Sequence, residues 1–167
     1  MIKFKDFYYT LLSETPMYIG DSREEYSLDT IMAQEKYADI FENPNSYKLV
    51  RSHDSSISVD LYEEVDGDEV ICWSVPTNNN FVLGYVAYNI LNDGGVETTS
   101  VFNDKQVPFL AFKVYIHYIL DKYKYILSDK RHTGSGKKFW QNLVAFTLKT
   151  KRVSIIDHAS NKELEEI

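Results

Sequence analysis

The chain has 167 residues, a formal charge of -7 and a pI near 5.1, with 13 Tyr and 9 Phe in an apolar share of 44%. That length suits one domain with a core that needs neither disulfide nor metal, and the acidic balance argues against a broad phosphate-binding face of the kind nucleic-acid binders display. The single cysteine, Cys72, excludes an internal disulfide and a cysteine-rich zinc site, so a reducing cytoplasm is the expected compartment. Residues 1–4 run straight into an amphipathic pattern without a signal-peptide core. The most apolar run, 107–120, is broken by Lys113 and His117 and is too short to span a bilayer, so a soluble protein is expected. An acidic surface aids solubility; it also suits a basic protein groove.

In chain order, Phe4, Phe7, Tyr8, Leu11 and Leu12 recur at helical spacing and predict a first helix ending before Pro16. A second helix is predicted after Ser27 through Leu28, Ile31, Met32, Ala38 and Phe41, ending at Asn43-Pro44-Asn45. From Tyr47 the period becomes two. Leu49 and Arg51 begin an extended stretch, and Ile57, Val59 and Leu61 alternate with polar neighbours. Asp66-Gly67-Asp68 is a hairpin turn into Val70, Ile71, Trp73 and Val75. After Thr77-Asn78-Asn79-Asn80 comes a β-rich run over 81–91, and Asn92-Asp93-Gly94-Gly95 turns into a strand over 96–102. Four strands joined by short turns predict an antiparallel meander.

The pattern then alternates helix and strand. A helix is predicted over 107–123 with Pro108 in its first turn, a strand over 125–128, a helix over 133–148 and a strand over 153–156. Residues 161–167 read as a polar tail. The chain is one domain: N-terminal helices over 1–45, a meander over 46–102, an α/β half over 103–160, then the tail. Its fold class is α/β (α+β), with a mixed, largely antiparallel sheet and two N-terminal helices.

Ile126-Leu127-Ser128-Asp129 followed by Thr133, Gly136, Phe139-Trp140 and Leu143 resembles the fifth strand and following helix of GNAT-type acyltransferases. The strand-helix-strand-helix-strand order within 81–160 resembles the same family. A similar Ser-Asp, Thr, Gly, Trp, Leu pattern occurs in GNAT-like proteins of bacteriophages and their hosts. The resemblance implies an N-acyltransferase or a phage-encoded descendant of one, acting in the host cytoplasm or carried in the virion. It implies acetyl-CoA as cofactor and an amine as acyl acceptor. An alternative is a non-catalytic interaction protein that reuses the fold, binding a host protein through its acidic, aromatic surface or serving as a virion component.

In that family the coenzyme lies between two diverging parallel strands, with its pyrophosphate on the N-terminus of the helix between them. Two registers compete. In the first, the strand 96–102 offers the backbone of Ser100, Val101 and Phe102 to the coenzyme, and the turn 103–107, with Lys105, meets the pyrophosphate. That turn has no glycine and carries Asp104. In the second, Arg131-His132-Thr133-Gly134-Ser135-Gly136 supplies Arg131, Gly134 and Gly136 as an Arg-x-x-Gly-x-Gly loop, or is simply a helix-opening turn. Only about 31 residues follow it, too few to complete the pattern, and fold completeness favours the first register. Glu97 is the best-placed candidate base, or an outward-facing surface glutamate. Trp140 stands where a Tyr general acid is expected; indole donates a hydrogen bond but delivers no proton.

Asp129 with His132, and Asp157 with His158, follow two strands. An antiparallel last strand is expected to separate them. His117 reads as a core histidine, His53 as a loop residue without an identifiable partner, and Cys72 as a buried thiol. Lys137, Lys138, Lys149, Lys151 and Arg152 form a basic cluster suited to coenzyme phosphates or to a solvated helix end.

Overall fold

The computed structural model describes residues 3–5, 30–104, 107, 110–127, 154–157 and 162–164, with single helical positions at 141, 143, 145 and 149. Its strands are β1 (Lys3–Lys5), β2 (Lys48–Arg51), β3 (Asp60–Asp66), β4 (Glu69–Val75), β5 (Gly84–Ile90), β6 (Val96–Asn103), β7 (Tyr125–Leu127), β8 (Ser154–Asp157) and β9 (Lys162–Leu164). They form one mixed sheet in the order β2-β3-β4-β5-β6-β7-β1-β8-β9. Helix α1 spans Thr30–Glu42. Helix α2 runs over 110–122, α-helical at Leu110–Val114 and Leu120–Lys122 and π-helical at Tyr115–Ile119. The fold is α+β.

The strands β2 to β6 form the expected antiparallel meander. Asp66 pairs with Glu69 across a two-residue turn whose first member, Gly67, takes a φ of 65°, the conformation that lets a tight turn match the strand twist. Both faces are covered. On one, Trp73, Val75 and Val82 pack with Ala33 and Ile40 of α1. On the other, Leu61, Cys72, Val86 and Tyr88 pack with Val114, Tyr115 and Ile119 of α2, and Leu143 joins them. Fully burying each of Ile40, Leu61, Ile119 and Leu120 contributes about 2 kcal/mol.

Several expectations are corrected. Residues 3–5, placed in a first helix by the spacing of Phe4 and Phe7, are strand β1 instead, and one described helix rather than two precedes the meander. A three-residue backbone segment hydrogen-bonded on both sides, to β7 and to β8, outweighs weak helical periodicity. The supposed tail pairs with β8 through β9. Strand β8 runs parallel to β1, and β1 parallel to β7, so the carboxyl ends of β7 and β8 share one sheet edge. Ile57 and Val59 are buried but lie ahead of β3 rather than within it. On α1 the buried positions are Ala33 and Ile40, whereas Ile31, Met32, Ala38 and Phe41 of the predicted apolar face are exposed.

Candidate functional site

Strand β6 is the sheet's turning point, antiparallel to β5 on one side and parallel to β7 on the other. Among the described residues, β7 pairs with the start of β6, Val96 with Ile126 and Glu97 with Leu127. Among the described residues no strand lies beside 98–103 on that side. A register irregularity between Ala87 and Tyr88 opposite Ser100 and Thr98 leaves Thr99 as the extra residue, and a bulge of this kind re-aims the side chains that follow it. Ser100 pairs with Ala87 and Glu97 with Asn89, so both face the α1 side, as does Phe102 opposite Tyr85. Simple alternation would put Glu97 and Ser100 on opposite faces.

Each of the described candidates has a distinct setting. Ser100 sits diagonally across from Tyr85 on the α1 side. Phe102 continues an aromatic row across the sheet: its ring lies 6.1 Å from that of Tyr85, which lies 5.0 Å from Trp73. Val101 faces the other way and packs against the α2-side core. Glu97 is half-buried. Lys105, Arg131, Gly134, Gly136 and Trp140 lie outside the described residues, as do Asp129, His132 and His158 and the predicted helices' starts at Ser27 and Thr133.

The turn into α2 is held by backbone hydrogen bonds and by the Asn103 side chain. Asp104 donates its backbone N–H to Leu83 at 2.8 Å and accepts the Val107 N–H at 3.0 Å, and Val107 in turn accepts the Leu110 N–H at 3.1 Å. The Asn103 carboxamide donates to the Val107 carbonyl and accepts the Ala111 N–H at 2.9 Å. Three N–H groups at the helix entrance are thereby satisfied within the protein, one of them by a side-chain cap. Asn103 was not singled out by sequence reasoning. Its signal was an Asn placed shortly before an apolar helical run.

Two further polar clusters escaped the sequence. The carboxylate of Glu63 accepts hydrogen bonds from Tyr88 at 3.0 Å, Tyr118 at 2.6 Å and Lys122 at 3.0 Å. Burial alone raises the Glu63 carboxyl, but the bonds from Tyr118 and Lys122 outweigh it and hold the group below its usual value. Burial lowers Lys122, yet its bond to Glu63 carries it above its usual value. On the other face, Glu64 accepts from Trp73 at 2.9 Å and Lys36 at 3.3 Å, and the Lys36 ammonium sits 4.8 Å from the Trp73 ring centre. Lys36 likewise rises overall: burial opposes the shift, while Tyr47 and Glu64 outweigh it. Each cluster binds a helix to the sheet, Glu63 holding α2 and Glu64 holding α1.

The remaining candidates resolve similarly. Cys72 is wholly buried, and burial pushes its thiol far above the range in which a thiolate forms. His53 has a partner after all, since Asp60 accepts its backbone N–H at 2.8 Å and lies 3.0 Å from its ring Nδ1. His117 is half-buried, and its carbonyl accepts a hydrogen bond from Arg51.

Sheet and crossover thus define an α+β domain in which a strand-helix-strand unit follows an antiparallel meander. Compared with protein-family models, curated proteins and solved structures, the chain matches none. No helix among the described residues is long and apolar enough to cross a membrane.

Proposed function

We propose that this domain binds an acyl-coenzyme A in the manner of GNAT-type N-acyltransferases, with acetyl-CoA as the coenzyme and an amine as acyl acceptor. One observation carries the reading. Among the described residues, the parallel strands β6 and β7, joined through α2, pair at Val96 and Glu97, and the reading lays an extended ligand arm along the following stretch 98–103 of β6. Ligands in α/β sheets favour this location, outside the carboxyl ends of parallel strands where the sheet changes direction. Glu97 pairs with Leu127 at the described end of β7. With the coenzyme bound, Glu97 would accept the proton of the attacking amine and return it to the thiol that leaves.

The Asn103 cap lies across the helix entrance that would meet the pyrophosphate. Binding is therefore expected to be weak in the native chain and several-fold tighter in Asn103→Gly, which frees the Ala111 N–H while costing the fold about 1 kcal/mol. Calorimetric titration of both proteins with acetyl-CoA reads this directly. A saturable heat that strengthens in Asn103→Gly supports the reading; no heat from either protein at millimolar coenzyme overturns it.

A further inference from the structure

Phe41 and Leu49 do not enter either core, being 51% and 46% exposed. They lie at the sheet edge on the α1 face, where Leu49 pairs across the strands with Tyr62. Phe41 links Tyr37 and Tyr62, with ring centres 4.8 Å and 5.8 Å away. The four side chains make a continuous apolar surface, aromatic but for Leu49. Aromatic anchors of this kind supply most of the energy of a protein interface.

Its electrostatic setting selects the partner. The elements carrying the patch present Glu35, Asp39 and Glu42 from α1, and Asp60 and Glu64 from the same face of β3. The basic side chain among them, Lys36, is already engaged with Glu64, Tyr47 and Asp39. Lys48 pairs with Glu63 and so falls on the opposite face of the sheet. In α1 and on this face of β3 acidic side chains outnumber basic ones. Strand β2 is short, irregular in register and flanked by Lys48 and Arg51, features that discourage strand addition at an edge. Recognition falls to the side chains.

We propose that Tyr37, Phe41, Leu49 and Tyr62 form a docking site for a basic, apolar-anchored segment of another protein. The site stands independently of coenzyme binding, since β2 and β3 lie at the opposite end of the meander from β6.

A labelled synthetic peptide with Lys and Leu at amphipathic helical spacing tests it by fluorescence anisotropy. Two controls accompany it, one with Ser for Leu and one with Glu for Lys. The native protein is expected to bind the Lys/Leu peptide at least tenfold more tightly than either control. Phe41→Ser combined with Leu49→Ser is expected to lose at least tenfold in affinity while staying folded with a modest drop in melting midpoint, because both side chains are already half in water. Should that variant fold poorly, Glu35→Lys with Glu42→Lys, both exposed, is expected to weaken the same peptide several-fold. Equal binding of the Ser-for-Leu peptide would reduce the effect to simple charge attraction and overturn the proposal. So would unchanged affinity in the folded patch variant. Sedimentation showing self-association of the native chain that Phe41→Ser abolishes would assign the patch to a second copy, and would overturn it equally.

Discussion

At Gly84 the backbone of the neighbouring strand occupies the space a side chain would need. A Cβ added there would lie 2.4 Å from the Phe102 carbonyl oxygen and 3.3 Å from the Asn103 Cα. Neither is a flexible side-chain end that could swing aside. Gly84→Ala is therefore expected to cost about 3 kcal/mol, the upper range of overpacking, read as a lower urea midpoint at unchanged slope. Gly95 is tight for another reason, since its missing Cβ leaves room for the Tyr125 ring, 2.2 Å from where that carbon would sit. The Tyr125 hydroxyl donates to the Asp93 carboxylate, with both oxygens within 2.6 Å. Burial first, then the Asp93 bond, pushes its ionisation up to about 12. Ultraviolet titration is expected to find this one phenol ionising near that value in the native protein and near 10 in Gly95→Ala, where the ring is displaced.

Among the elements, α2 departs furthest from a regular helix. Its π turn at Tyr115–Ile119 closes with the Leu120 N–H donating to the Tyr115 carbonyl. A wider turn loosens the carbonyls of the usual ladder, and the Arg51 guanidinium takes up that of His117 while also pairing with Asp54. Four contacts from Ser56, Ile57 and Arg51, that of the Ser56 hydroxyl leading, hold the Asp54 carboxyl far below its usual range. The loop between β2 and β3 is thus a brace for the helix. Arg51→Ala is expected to raise amide hydrogen exchange around 117–121 by at least tenfold with little change in strands β3 to β5, while losing about 1–2 kcal/mol overall. Uniform acceleration across the sheet would show that Arg51 acts on global stability alone.

Across the whole molecule, Glu63 and Glu64 are consecutive on β3 and so point to opposite faces. Each binds the helix on its own side: Glu63 through Tyr118 and Lys122 of α2, Glu64 through Lys36 of α1. Because the folded state holds Glu63 below its ordinary value of 4.5, its contribution is complete above that value and is lost as pH falls through the lower folded one. Lys122, held above 10.5, contributes fully below that value and less as pH rises past it. Glu63→Gln is expected to lower stability by about 2 kcal/mol at neutral pH and to flatten the decline of the melting midpoint between about pH 5 and pH 3. A decline as steep as the native one would place the acid sensitivity elsewhere.

Much of this was legible in the sequence. The meander, its turns, α2, β7 and β8 follow from alternation, turn residues and helical spacing, signals that neighbouring residues carry among themselves. The candidate site was legible only in outline. Ser100, Val101, Phe102 and Glu97 were placed on the right strand, but the bulge at Thr99 decides which of them share a face, and it depends on how β5 and β6 dock. The same limit explains β1: three residues cannot report that their partners lie more than a hundred positions away. It also explains Glu63 and Lys122, separated by 59 residues, and the apolar side chains of α1 that end in solvent because Ala33 and Ile40 seat the helix instead. Local pattern settles which segments are strands and helices, since the backbone period is a property of adjacent residues. Packing among distant segments settles strand order, bulge, π turn and the two helix clasps, because each is stabilised by groups that meet only once the chain has folded.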